Sequence, residues 1–204
     1  MSSGLARPSI VSVSKFARES AAIFDVELVK LFREPIEIFT RAIQPVLWLA
    51  VFGPVVSHSR GIFTGPMNYL SFMTPGILGQ SVLFAAIFYG IAVIWERDLG
   101  VVHKMLVSPS YRSSLVFGKA LSAGLRGLIQ TVIIYVIALI MGIALNGRLF
   151  AISGVVFTVI LGSSIFSTFS LIIACIVKTR ERFMGIGQVL TMPLFFASNA
   201  IYPI

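Results

Sequence analysis

Residues 96–109 read Glu96-Arg97-Asp98-Leu99-Gly100-Val101-Val102-His103-Lys104-Met105-Leu106-Val107-Ser108-Pro109, a charged, glycine-interrupted and proline-ended segment between two long apolar runs. Runs of that length cross a bilayer as helices, so the segment between them must emerge into water at one face. Val101, Val102, Met105 and Leu106 recur at helical spacing, which predicts one apolar strip on a short helix with His103 and Lys104 pointing elsewhere. Gly100 loosens the start of that helix and Pro109 stops it. By periodicity alone such a segment fits an ordinary interfacial connector or a docking helix for a soluble partner.

Composition supports the membrane reading on both sides of the segment. The 204 residues are 57% hydrophobic and 12% charged, with a mean hydropathy of +0.95, whereas soluble domains carry about 25% charged residues. The net charge of +8 is not read as a nucleic-acid surface, because the basic residues cluster in short loops between apolar spans. The single cysteine, Cys175, lies in an apolar run and has no partner for an intrachain disulfide. The first residues lead into a charged segment, unlike a cleavable signal peptide.

Outward from residues 96–109 the chain divides into spans and loops. Residues 11–34 mix Lys15, Arg18, Glu19, Asp25, Glu27, Lys30 and Arg33 with Phe16, Ile23, Phe24, Leu28, Leu31 and Phe32. That pattern predicts an amphipathic helix too charged to cross, lying in the headgroup region with its apolar face down. Span one follows at 38–57, with Pro45 inside it and Arg41 near its entrance, from where the side chain is expected to snorkel to the interface. Span two ends at Trp95. Span three contains residues 127–145, 19 positions without a charge, roughly 29 Å of helix. Span four is expected at 149–177, and span five from Phe183 to the end of the chain. The expected architecture is therefore an all-α integral membrane protein with an N-terminal interfacial helix (residues 1–36 with the tail) and five visible spans in 37–204. A sixth span is expected to be missing by truncation.

The charges order these spans. Six Lys or Arg precede or enter span one, five lie in 97–126 and three in 178–182, whereas only Arg60 and Arg148 fall on the opposite side. The positive-inside rule then predicts a cytoplasmic N-terminus and a cytoplasmic 96–119 loop.

Catalytic constellations are absent from the sequence. There is no HExxH, no GxSxG, no phosphate-binding GxxxxGK[ST] and no pair of intramembrane aspartates, so neither an enzyme nor a bound cofactor is expected. No carboxylate lies in the core of a span, which disfavours an ion-coupled secondary transporter, and no charged pocket is expected among the spans. Their polarity is uncharged: Gln80, Gln130, Gln188, Tyr89, Tyr135, Ser163, Ser164, Ser167 and Thr168, groups suited to hydrogen bonds between helices.

Three blocks carry a family resemblance. The first is Tyr69-Leu70-Ser71-Phe72-Met73-Thr74-Pro75-Gly76-Ile77-Leu78. The second is Glu96-Arg97 with Gly100, Leu106 and Pro109, continued by Arg112 and Gly118-Lys119. The third is Pro193-Leu194-Phe195-Phe196 with Ser198-Asn199 and Tyr202-Pro203. The chain resembles the permease subunits of type-2 ATP-binding-cassette (ABC) exporters, and among them the daunorubicin-resistance-like drug exporters. It departs from the pattern at Val101 and His103, where relatives often have Thr and Glu, and at Asn199, where many have Gly.

The resemblance implies a multi-pass plasma-membrane subunit that works with a separate ABC ATPase and a second permease. It implies an ATPase-coupling site at Glu96, Arg97, Gly100, Val101, Val102, Met105, Leu106 and Pro109, and an outer gate at Pro193, Phe196, Asn199, Tyr202 and Pro203. The implied cargo is a hydrophobic or amphipathic, drug-like compound, with lipid-linked saccharide or polysaccharide as the alternative. A non-transporting membrane anchor is the alternative from another class.

Overall fold

A computed structural model describes residues 13–58, 69–143, 147–177 and 179–198. Among them the regular elements are all helical: α1 (Val13–Arg33), α2 (Pro35–Leu47), a π-helical turn (Trp48–Phe52), α3 (Gly53–His58), α4 (Tyr69–Asp98), α5 (Val101–Val107), α6 (Arg112–Ile140), α7 (Leu149–Ile176) and α8 (Arg180–Phe196). The protein is an all-α membrane protein. Four segments are long and apolar enough to cross a bilayer: Phe39–Ser57, Tyr69–Asp98, Arg112–Ile140 and Leu149–Ile176.

The first crossing is composite for a local reason. Pro45 lies inside α2 and has no N–H to give to the carbonyl one turn earlier. Shortly after it the helix widens, and the Gly53 N–H closes on the Trp48 carbonyl five residues back before α3 continues the path. Beyond α3 the next described element, α4, runs for 30 residues with Pro75 in its first third. α8 has 17 residues and opens with Arg180, Glu181 and Arg182. It falls below the length of the four crossings, and the rest of the expected fifth span, residues 199–204, lies outside the described residues.

α4 and α6 form the centre, α7 packs across both, α1 lies along α6 and α8 along α4. Lipid tails are as apolar as Leu, so close packing and polar links hold such helices together rather than expulsion from water. Tyr89 and Ser122 link α4 to α6 at 3.3 Å, and the Ser164 hydroxyl of α7 donates to the Ala120 carbonyl of α6 at 3.2 Å. Ser170 of α7 donates to the Ile87 carbonyl of α4. An apolar cluster of Leu49, Tyr69, Met73, Ile77, Ala138 and Ile143 closes one end of the bundle. Ile94, Ala174, Val177 and Phe183 pack together at the other end, beside the charged loops.

α1 packs one stripe of its surface against α6. Ser20, Glu27 and Leu31 are buried in it, while Val26, Val29 and Phe32 are exposed. Glu27 is buried with cationic partners on α6, Lys119 and Arg126. Gly118 sets this crossing: a Cβ there would come within 2.8 Å of both the Ile23 Cβ and the Ser20 carbonyl oxygen. No other residue fits so close a backbone approach.

Candidate functional site

The charged end of the bundle is built around one residue of α6. Lys119 is buried, and its ammonium donates to Glu27 Oε1 of α1 at 2.9 Å and to Glu96 Oε2 of α4 at 2.7 Å. Lys30 of α1 bridges the same two carboxylates, at 3.1 Å to Glu27 and 2.5 Å to Glu96. Two carboxylates and two ammonium groups therefore alternate in a closed ring that ties three helices together. Arg126 adds a contact of 3.4 Å to Glu27 Oε2, and the Tyr89 ring faces both Lys119 and Arg126, 5.7 and 5.2 Å from its centroid. Burial works against the charge of Glu27, but Lys119 and Lys30 outweigh it and hold the carboxyl at about 2. Such a ring fixes geometry more surely than it adds stability, since desolvation offsets most of the Coulomb attraction.

From this ring the chain runs directly into the loop and α5. Arg97, next to Glu96, donates to the carbonyls of Ala174 and Val177 at the end of α7, at 3.1 and 3.2 Å. Asp98 pairs with Arg180 at 3.2 Å, whose guanidinium lies 3.6 Å from the Trp95 ring centroid. Gly100 adopts φ +72°, the left-handed conformation that lets the chain reverse between α4 and α5. The far side of α5 is tied as well. Lys15 donates to the Pro109 carbonyl at 3.2 Å, and Glu19 accepts from the Tyr111 N–H and the Ser114 hydroxyl, both at 2.9 Å. The Tyr111 N–H is the main reason that the Glu19 carboxyl is held below its ordinary range.

The structure splits the expected apolar strip. Val101, Val102 and Met105 are half-buried towards the rest of the chain, whereas Leu106 is 44% and Val107 86% exposed, with Leu99 at 69% just before the helix. No residue of α5 is fully buried. Glu96 and Arg97 face inward as anchors, Pro109 is exposed, and His103 and Lys104 stand on the outer face. The expected coupling residues thus lie in one region with two orientations.

At the other end, Pro193 sits inside α8 and Phe196 is half exposed. Phe195 is the buried member of that pair, packed edge-on against Trp48 with ring centroids 5.7 Å apart. Asn199, Tyr202 and Pro203 lie outside the described residues.

Arg41 of α2 makes a contact with α4. Its guanidinium donates to the Ala85 carbonyl of α4 at 3.2 Å, eleven residues along α4 from Glu96, or about 16 Å at helical rise. It lines a cleft of about 310 Å³ with Gln44, Pro45, Gln80, Ser81, Phe84, Ala85, Phe88, Ile91 and Gln188. The expectation that the spans hold no charged pocket is overturned by this cleft. A second cleft of about 620 Å³, between α4 and α8, shares Gln80 and extends to Ser71 and Ser198.

Fold and site together define a multi-helix membrane protein that presents a short, firmly tethered helix at its charged end. The model described as ABC-2 type transporter matches residues 18–204, and the chain belongs to that family. The chain is 28% identical over 200 residues to the transport permease ycf38 of Cyanophora paradoxa, covering 97% of this chain and 69% of that one. It is 26% identical over 191 residues to the protein of the same name from Porphyra purpurea, covering 92% and 65%. The chain thus spans about two thirds of the length of these relatives. No solved structure matches.

Several site residues escape the sequence reading. Glu19, Glu27 and Lys30 read there as the polar face of an interfacial helix, and Gln80 as one of several interhelical amides. The one available signal is Lys119 itself, a lone charge in the run Gly118-Lys119-Ala120-Leu121-Ser122-Ala123-Gly124 of otherwise small and apolar residues.

Proposed function

We propose that the chain is the membrane-spanning half of an ATP-driven exporter, with α5 and its flanks as the coupling site for a separate ABC ATPase. The observation that carries this reading is the exposed Leu99, Leu106 and Val107 patch on an element tied at both ends: Arg97 to α7, Glu96 to Lys119, and Pro109 and Tyr111 to α1. A helix held in this way passes a rigid-body motion of the ATPase into α4 and α6 instead of absorbing it. Glu96, Arg97, Gly100, Val101, Val102, Met105 and Pro109 hold the element in place, and Leu106 with Leu99 meets the partner.

In this proposal residues 1–36 form the tail and interfacial helix, residues 37–204 the permease domain, and 96–119 the coupling loop, with the N-terminus in the cytoplasm. A second permease, a copy of this chain or a paralogue, completes the pathway. Pro193, Phe196, Asn199, Tyr202 and Pro203 begin an outer gate. The cargo is amphipathic: a drug-like compound, by the likeness to daunorubicin-resistance-like exporters, or a lipid-linked saccharide, a reading that gains from the polar cleft at Arg41.

The test is affinity capture of the tagged protein from gently solubilised membranes, comparing the native chain with Leu99→Asp/Leu106→Asp by mass spectrometry. An ABC ATPase recovered with the first and lost with the second, at equal levels of inserted protein, is the expected result. Recovery of no ATPase with either overturns the reading in favour of a passive membrane anchor.

A further inference from the structure

We propose that the face formed by α5 and its flanks selects a partner whose apolar groove is rimmed by carboxylates, and that Arg18, Lys104 and Arg112 are the residues that meet them. That the partner is an ABC ATPase rests on the exporter reading; the chemistry of its groove follows from this chain's own residues. The apolar centre of the face is Leu99, Leu106 and Val107, which are 69%, 44% and 86% exposed. Lys104 is exposed three residues before Val107, on the same side of α5. Arg112 is exposed at the start of α6, just after the turn that follows α5. α1 brings Arg18 to the same place. Lys15, one turn earlier, reaches the Pro109 carbonyl and the Tyr111 ring, and Glu19, next in sequence, accepts from the Tyr111 N–H.

The charges around that centre do not balance within the chain. The carboxylates beside it are engaged internally: Glu19 with Tyr111 and Ser114, Glu96 with Lys119 and Lys30, and Asp98 with Arg180. Arg18, Lys104 and Arg112 form no ion pair with a described residue. Asp25, the next exposed carboxylate of α1, lies seven residues beyond Arg18, about 10 Å along the helix and outside the Debye length of about 8 Å at physiological salt. Glu181 of α8 has exposed Arg182 beside it. Three cations left over around an apolar patch attract an acidic surface and repel a basic one.

A protein groove, and not the membrane, is the occupant that fits. α4 and α6 have 30 and 29 residues, about 45 and 43 Å at helical rise, against a hydrocarbon layer of about 30 Å. The uncharged stretch of α6 starts at Gly127 and runs away from α5, so the excess of about 13 to 15 Å lies at the end that carries α5. α5 joins the tips of these two helices and projects past a headgroup layer of about 5 to 7 Å.

The experiment uses the whole chain, in isolated membranes and in the complex purified from them. A carbodiimide joins an amine to a touching carboxylate as an amide, the reagent taking up the water lost and leaving as its urea. Lys104, and in Arg112→Lys a second amine, thus marks the carboxylates that face it, and mass spectrometry identifies them. Adducts from both positions to Asp or Glu of one ABC ATPase are expected. Association of the separated ATPase with the chain in nanodiscs should slow about tenfold in Lys104→Glu/Arg112→Glu, and also on raising NaCl from about 0.05 to about 0.5 M, with dissociation little changed. Lys104→Gln/Arg112→Gln should fall between, and Lys104→Arg/Arg112→Lys should keep the native rate. Leu106→Asp should instead speed dissociation, and thermal unfolding of each variant shows that the fold persists.

The outcomes separate the two readings. An ATPase that co-purifies but gives no adduct at either position, or that associates with Lys104→Glu/Arg112→Glu as fast as with the native chain, overturns the acidic rim and leaves the exporter reading standing. Adducts to carboxylates of one identified protein that is no ATPase keep the acidic groove and overturn the exporter reading. No protein adduct and no ATPase overturns both. A rate loss present in phosphatidylglycerol nanodiscs and absent in phosphatidylcholine ones assigns the three cations to anionic headgroups, and overturns the proposal as well.

Discussion

Lys119 and Glu27 stand 92 positions apart in the chain, yet their side chains, each 3% exposed, meet at 2.9 Å. Removing one member of a buried pair leaves the other charged and poorly solvated. Glu27→Gln is therefore expected to destabilise the docking of α1 by about 3 kcal/mol, whereas Glu27→Leu/Lys119→Met costs less than the sum of its single changes. Thermal unfolding of the four proteins in detergent completes the cycle, and strict additivity would argue against direct coupling.

The same carboxyl gives the protein an acid limit. Glu27 is held at about 2, below its ordinary 4.5, so the folded state binds fewer protons than the unfolded one between those values. Its contribution is complete above about pH 4.5 and is lost as the pH falls towards 2. The gap between the unfolding midpoints of the native protein and Glu27→Gln should be constant from pH 7 to about 5 and close on further acidification. A gap that widens below pH 4.5 would reverse the sign of the argument.

Gly100 stands at φ +72° with open space around it. Gly100→Ala meets no neighbour, and its cost is the backbone strain of a left-handed residue, about 1 kcal/mol. A small drop in unfolding temperature with α5 still formed is expected. A drop as large as that of Glu27→Gln would mean that the turn carries more than conformation.

Gly118→Val acts through space instead. The added carbon meets Ile23 and the Ser20 carbonyl oxygen, and the second belongs to backbone, which cannot swing aside. α1 should lift from α6, seen as faster hydrogen exchange over residues 13–33 while α4 and α7 keep their protection. Ile23→Ala, which keeps the Cβ and leaves the Ser20 carbonyl where it is, should not restore the contact.

Met105 and Leu106 are adjacent but face different neighbours, the first half-buried towards its own chain and the second 44% exposed. Met105→Asp should lower the unfolding temperature, since a carboxylate there loses water without gaining a partner. Leu106→Asp should leave unfolding unchanged and weaken ATPase capture. The opposite pattern would exchange the two roles.

Much of the fold is legible in single residues. Pro35 separates the first two helices, runs such as 127–145 mark the spans, and the distribution of Lys and Arg groups the loops. Each of these is a local property, because a bilayer requires every spanning segment to satisfy its own backbone and exclude charge. The α5 helix was legible for the same reason, from Gly100 and Pro109 at its borders.

Pairings were not legible. Glu27, Lys119 and Glu96 look in the sequence like three solvated charges near an interface, and only the crossing of α1 over Gly118 brings them into one ring. Arg41 sits two residues inside the Phe39–Ser57 crossing, a position from which a long side chain can turn either way. The packing of α2 against α4, which gives it the Ala85 carbonyl and opens the cleft beside Gln80, decides the direction.

The sequence by itself determined that this protein is a bundle of membrane helices with a water-exposed helix at residues 101–107, because hydropathy and helix-breaking residues act where they stand. The tertiary structure decided which charges are buried, which half of that helix is free to meet a partner, and where polarity enters the spans. Those outcomes depend on distances between residues far apart in the chain, set by how closely the backbones approach.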